Sequence, residues 1–158
     1  MSTPQGLYVP NGKIRFEEEL MIWGPIPLQI KISTDDTDGA LFIFEHAGIA
    51  KFGPLRHFHH EQDEWFYAIK GNFAFEVGEE RFTLRPSDSL SVPRMVPHVW
   101  SYIGDDPGTL LVAIQPAGSF EAFFRESCEM NRLPTPEVED RMHAAHGMKI
   151  VGPSLEVD

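Results

Sequence analysis

Apolar side chains recur at every second position through much of the middle of this chain. Short runs of this kind are separated by breaks rich in Gly, Pro and Asp. Alternation with a period of two predicts half-buried β-strands rather than helices. Leu41-Phe42-Ile43-Phe44 is an apolar, β-rich run. From Glu64 to Ile69 the pattern puts Glu64, Phe66 and Ala68 on one face and Trp65, Tyr67 and Ile69 on the other. Lys70-Gly71-Asn72 signals a turn, after which Phe73, Phe75 and Val77 alternate with Ala74 and Glu76. Gly78-Glu79-Glu80 turns the chain again, and Arg81 to Leu84 runs back to a corner at Arg85-Pro86-Ser87-Asp88. Ser89–Val92 and Val96–Ile103 are expected to be further strands. The Gly104-Asp105-Asp106-Pro107-Gly108 break precedes a last apolar strand, Thr109–Ile114. Short strands at this spacing predict an all-β sandwich or closed barrel.

The pattern changes after Gln115. Pro116-Ala117-Gly118 ends the strand run, and Ser119 is placed to cap a helix carrying Phe120, Phe123 and Phe124. A second helix is better marked, with Thr135 as cap, Pro136 at its first position and Gly147 beyond its end. The expected organisation is one domain over residues 1–158. A barrel spans about 20–115, and a helical tail over about 119–147 covers one side of it.

Composition agrees. A chain of 158 residues buries roughly 70% of its unfolded surface, enough for a core without disulfides. The single cysteine, Cys128, excludes an intrachain bridge. The formal charge of −11 argues against nucleic acid, whose phosphates need a basic face, and against anionic membrane surfaces. The first residues lack a basic and apolar leader pattern, and no apolar run approaches a membrane span of about 20 residues. A cytoplasmic protein is expected.

Candidate chemistry lies at Leu55-Arg56-His57-Phe58-His59-His60. On a strand His57 and His59 point to one face about 7 Å apart, so two imidazoles can converge on one ion, while His60 points away. Glu64 begins the next strand after a short turn. His98 lies on a later strand after Pro93 and Pro97. Three neutral imidazoles and one carboxylate suit one divalent ion such as Fe, Mn, Ni, Zn or Cu. An octahedral ion held by these four ligands keeps two positions for water or substrate. A lone His-x-His is weak, because alternation alone generates it. The carboxylate and the distant histidine in matching turn contexts make the pattern specific.

These residues resemble the cupin superfamily. Its first motif is similar to Gly53-Pro54-Leu55-Arg56-His57-Phe58-His59, then four residues, Glu64, six residues and Gly71. Its second is similar to Ser87-Asp88 through Pro93 to His98. The resemblance extends from about Leu20 to Pro153. It includes Asp36-Thr37-Asp38-Gly39-Ala40, Pro116 to Glu121 and Gly147 to Pro153, which look like segments of small single-domain bacterial cupins often likened to quercetin dioxygenases. It implies a jelly-roll β-barrel with short C-terminal helices and a metal held by His57, His59, Glu64 and His98. Four positions depart from the pattern. Gly53 stands two residues too close to His57, Ser87 and Met95 replace glycines, and Tyr102 replaces the asparagine after the last histidine.

Phe66 and Ala68 follow Glu64 on its face, and Trp100 and Tyr102 follow His98. Singly each reads as core; together they predict an apolar cavity at the metal. Phe66, Met95, Trp100 and Tyr102 are the expected pocket residues. The remaining candidates read more simply. His60 is a rim residue, His46 an ordinary strand histidine and Cys128 a free helix thiol. Glu17-Glu18-Glu19 is a solvated face. His143 and His146, three apart on a helix, lack a further ligand for a second metal site, and a helix C-terminus favours histidine.

The leading functional expectation, carried by the resemblance, is a metal-dependent dioxygenase acting on a small, aromatic compound, with Glu64 as ligand and general base. A non-enzymatic metallo-module that senses or sequesters a small ligand, and a Lewis-acid isomerase or lyase, stay open beside it. Similar small cupins pair through strands, so a homodimer is expected, with the β-rich Leu20 to Trp23 segment as its edge.

Overall fold

The computed structural model describes residues 5–16 and 18–157, so Glu17 of the acidic run lies outside the described residues. Among the described residues, eleven strands and two α-helices follow one another. The strands are β1 (Leu20–Ile22), β2 (Ile26–Ile32), β3 (Phe42–Ile49), β4 (Leu55–His59), β5 (Asp63–Lys70) and β6 (Asn72–Val77). They continue with β7 (Glu80–Leu84), β8 (Ser89–Val92), β9 (His98–Ile103), β10 (Gly108–Gln115) and β11 (Met148–Ser154). The helices α1 (Phe120–Cys128) and α2 (Pro136–Ala145) precede β11.

The strands form two antiparallel sheets, ordered β1-β2-β3-β10-β5-β8 and β11-β4-β9-β6-β7. This is a cupin-type jelly roll with C-terminal helices. Side-chain alternation decides what lies between the sheets. On β5, Glu64, Phe66 and Ala68 are buried, while Trp65, Tyr67 and Ile69 face outward. Phe73 and Phe75 on β6 and Phe42 and Phe44 on β3 belong to one buried core. Helix α1 closes one side. Its Phe120 stacks on Phe44 and its Phe124 meets Phe44 edge-on. Burying each such ring contributes roughly 2 kcal/mol. No helix among the described residues is long and apolar enough to cross a membrane.

The structure departs from the sequence expectations at four points. First, β11 continues the five-stranded sheet beyond the expected barrel range by pairing with β4, Met148 opposite His59 and Ile150 opposite His57. Gly152 and Pro153 interrupt its strand pattern, which an edge strand with one partner allows. Second, β9 starts at His98 rather than Val96, since Pro97 supplies no N–H and the preceding turn carries Met95 at φ 69°. Third, β1 ends at Ile22 because Trp23 adopts φ 54°. Fourth, Ser119 occupies the cap position of α1 without capping by its side chain; its Oγ instead meets Nδ1 of His146 at 2.9 Å. Thr135 caps α2 as expected, accepting from the Val138 N–H.

The departures from the family motif are explained locally. Ser87 and Met95, standing where glycine is usual, both hold left-handed backbone, at φ 76° and 69°. A side chain there costs about 1 kcal/mol. Gly53 is set by close approach, since a Cβ at this residue would lie 2.1 Å from the Trp100 carbonyl oxygen.

Candidate metal centre

His57 and His98 are directly opposed across the β4–β9 pair, and His59 follows one alternation along β4. Glu64 reaches them from β5, in the other sheet. The cluster therefore pins the two sheets together. Strand β4 is supported on both sides, by β9 and by β11. All four side chains are buried, and one donor atom from each lies within 4.8 Å of the others. Donors around one ion at about 2.1 Å lie roughly 3–4 Å apart, so this cluster is of the right size.

Each ring is oriented from behind. Nδ1 of His57 faces the Leu55 carbonyl at 2.7 Å, that of His59 faces Oε1 of Gln62 at 3.0 Å, and that of His98 faces the Val96 carbonyl at 3.0 Å. An acceptor at Nδ1 fixes the proton there in the neutral ring and turns the Nε2 lone pair inward. The Nε2 atoms of His59 and His98 each lie 3.1 Å from Oε2 of Glu64. The buried His59 Nε2 has no hydrogen bond there. Two lone pairs and a carboxylate oxygen at this distance repel unless a cation sits among them. The residues fit a metal ion.

The electrostatics agree. Burial, then crowding by His98 and His59, pushes the His57 imidazole well below its ordinary value, so it is neutral and able to ligate near neutral pH. Burial opposes the charge on Glu64, but His59 and His98 outweigh it and hold the carboxyl well below the usual carboxylate range. Burial likewise opposes charge on His98, and the Glu64 carboxylate more than offsets this and raises it.

Gln62 is a site residue that the sequence reading missed. It is buried, and its amide nitrogen donates to the Pro116 and Ala117 carbonyls, which turns its oxygen toward His59. A glutamine two residues before a ligand carries no motif signal. Its role exists only because β10 ends beside the β4–β5 turn.

An inner cavity of about 70 Å³ adjoins the cluster, with His57 and Glu64 among its walls together with Phe44, Phe66, Trp100 and Phe120. A larger cleft of about 660 Å³ lies next to it, sharing the walls Trp23, Ile26, Phe52, Pro54, Leu55 and Glu139. Of the four expected pocket residues, the structure brings Phe66 and Trp100 to the cavity but not Met95 or Tyr102. Met95 sits in the turn before β9, 54% exposed. Tyr102 shares the inward face of His98 but lies four residues, about 13 Å, further along β9. There its hydroxyl donates to the Asp106 carbonyl and its ring packs on Gly71, Gly104 and Gly108.

The other candidates separate cleanly. His60 is exposed. Burial pushes the Cys128 thiol up to about 11, which leaves it unreactive. His146 meets Ser119 and Glu126 rather than a metal cluster. His46 and His143, which read as ordinary structural histidines, both line the cavity, and the ring of His143 lies 5.8 Å from that of His57.

A double-sheet barrel with a His-His-Glu-His cluster between its sheets defines a metal-site cupin. The Cupin domain model matches residues 45–114, which include all four cluster residues. Over these residues the chain is similar to the cupin superfamily. It is 27% identical over 122 residues to a quercetin 2,3-dioxygenase of Bacillus subtilis (strain 168), covering 74% of this chain. It spans only about a third of that relative's length, 36%. Among solved structures it resembles KdgF from Halomonas sp., with TM-score 0.59, 19% identity and coverage of 71% of this chain and 94% of that one. An RmlC-like cupin from Shewanella frigidimarina gives 0.56, 21%, 73% and 96%. The Streptomyces nucleoside dehydratase Pac13 gives 0.55, 12%, 87% and 87%. These structural likenesses speak to the fold.

Proposed function

We propose that this protein is a metal-dependent dioxygenase acting on a small, aromatic compound bound beside the metal cluster. The observation that carries the reading is a four-donor cluster whose His57 and Glu64 open onto an aromatic-walled chamber. The dioxygenase of Bacillus subtilis supports the reaction class. His57, His59, Glu64 and His98 hold the ion, here one of Fe, Mn, Ni, Zn or Cu. A bound ion of this kind supplies a Lewis-acidic, and for some of these metals redox-active, centre at which substrate and O₂ meet.

The chain's own residues do the rest. Aromatic walls bind the apolar body of the substrate and exclude water. The Glu64 carboxylate accepts the proton of a substrate hydroxyl at its oxygen. Both atoms of O₂ enter the product.

The test is to reload Glu64→Gln with metal, confirm stoichiometry, and measure substrate binding and oxygen uptake separately across a panel of hydroxylated aromatics. Gln keeps the shape and an acceptor oxygen but cannot take the proton. Turnover is expected to fall about 10²–10⁴-fold with binding retained. Wild-type turnover in the loaded variant eliminates the base role. Turnover by wild type without oxygen uptake points to an isomerase or lyase, and binding without turnover to a sensor.

The same reading includes a homodimer. Strand β1 forms the outer edge of the six-stranded sheet and pairs only with β2 among the described residues. Light scattering at micromolar concentration is expected to give twice the 17.9 kDa chain mass. The monomer mass would reject the pairing.

A further inference from the structure

The space beside the metal cluster is divided in two. The inner chamber holds about 70 Å³ and has His57 and Glu64 among its walls. The cleft next to it holds about 660 Å³ and has none of the four cluster residues among its walls. A cavity that takes benzene measures about 150 Å³, and sites for small organic ligands measure about 300–1,000 Å³. A ring lodged in the cleft therefore does not reach the ion, and the chamber that reaches it does not admit a ring. For an aromatic compound to meet the metal, the two spaces have to become one.

The side chains that line both spaces stand between them, and Trp23 is unlike the others. Ile26 and Leu55 sit within paired strands, β2 and β4. Trp23 lies at the tip of the β1–β2 hairpin, with left-handed backbone at φ 54°. A bulky residue rarely adopts that conformation, and it carries a cost in strain. The Ser127 carbonyl accepts from the Trp23 backbone N–H at 3.1 Å and pins the tip in this shape, which sets the indole into the partition. There the indole Nε1 is buried and donates to no group among the described residues. A phenylalanine would fill the same gap without stranding an N–H. An indole held at these two costs points to a second position of the ring, in which its N–H is met.

We propose that Trp23 is a movable partition. Its indole swings away from the chamber wall, joins chamber and cleft into one site, and admits a ring-sized aromatic ligand to the metal cluster. In that position the N–H donates to water or to an acceptor on the ligand. This deepens the proposed function and rests on its reading that the substrate meets the metal. Phe52, which meets Trp23 edge-on at 6.3 Å and Trp100 at 6.0 Å, is the surface the indole leaves. The ligand then spans both spaces, with its reacting end at His57 and Glu64 and its body between the apolar walls of the cleft, among them Pro25, Ile49 and Leu133.

The experiment follows nitrocatechol, a chromophoric ring that chelates metal, as it reaches cobalt in the cobalt-loaded protein, by stopped-flow absorbance. Wild type is compared with Trp23→Gly, which takes left-handed backbone without cost and has no ring, and with Trp23→Phe, which keeps a ring but has no N–H. An open state populated about 0.1–10% slows entry about 10–1,000-fold, so Trp23→Gly is expected to speed it by that factor. Trp23→Phe relieves the closed state of its unmet N–H and is expected to slow entry about fivefold or more, a test that stands even where Trp23→Gly fails to fold. Entry within twofold of wild type in the folded variants overturns the inference, as does cobalt that nitrocatechol reaches in none of the proteins. Fluorine NMR of protein made with fluorinated tryptophan reads the partition without reference to metal. The chain has three Trp, and the signal missing from Trp23→Phe identifies Trp23. Relaxation dispersion of that signal is expected to show exchange with a minor state. A protein that takes up no cobalt refutes the metal reading. In that protein, exchange at Trp23 supports the partition and its absence overturns it.

Discussion

Gln62→Leu isolates how far the metal site depends on a residue that touches no metal. Leu keeps most of the side-chain volume in a position that is 5% exposed. It removes the acceptor of the His59 Nδ1–H and the donors to the Pro116 and Ala117 carbonyls. A buried polar group left without a partner costs about 1–3 kcal/mol, and a carbonyl that keeps partial access to water costs less. With one stranded N–H and two weakened carbonyls, the expected loss of stability is roughly 2–4 kcal/mol. For a chain of this size that lowers Tm by roughly 5–10 °C. The effect on the ion is separate. His59 loses the contact that sets its tautomer and ring plane, and removal of such a partner weakens metal affinity about 10–100-fold. Competition of the purified protein with a chromophoric chelator for zinc measures the second quantity, and thermal unfolding of the metal-free protein the first. Zinc affinity within twofold of wild type would refute the claim that Gln62 positions His59. A normal Tm would refute its role in tying the β4–β5 turn to the end of β10.

The ligand assignment itself predicts that His57→Ala, His59→Ala and His98→Ala each sharply lower metal content by elemental analysis while far-UV circular dichroism keeps its strand signature. Full occupancy in the His57→Ala, His59→Ala double variant would sink it. Protons compete with the ion for the same imidazoles, so metal affinity should fall as pH drops from about 7.5 to 5, and a flat response contradicts a three-histidine site. Acid stability should depend on Glu121, which burial disfavours as a charge but which contacts with Thr34, Ser33 and Arg125 hold below the usual carboxylate range. A group depressed in the folded state contributes stability above its unfolded pKa, and that contribution is lost as pH falls through the folded value. Glu121→Gln is therefore expected to be less stable than wild type at pH 7 and to converge with it below about pH 4. Denaturant midpoints with a constant difference across that range would refute the linkage.

Sequence alone determined the parts of this protein that are written in local periodicity. Alternation from Phe42 to Gln115 marks the strands and their buried faces, because a pleated strand sends successive side chains to opposite sides. The same rule put His57, His59, Glu64 and His98 on inward faces, and the turn residues at Gly71, Gly78 and Arg85–Asp88 set the lengths between them. Thr135 and Pro136 announced α2 through the chemistry of a helix start. Tertiary structure alone decided the rest. Strand β11 has an undistinguished sequence, and only β4 beside it makes it a strand. Tyr102 and Phe66 share the same inward alternation, yet one lies far along β9 and the other lines the cavity, since period two fixes a face but not a depth. Gln62 and His143 gain their positions from contacts with chain 54 and 86 residues away, at Pro116 and His57. Such contacts leave no period in the sequence, because they depend on how the sheets and helices close around one another.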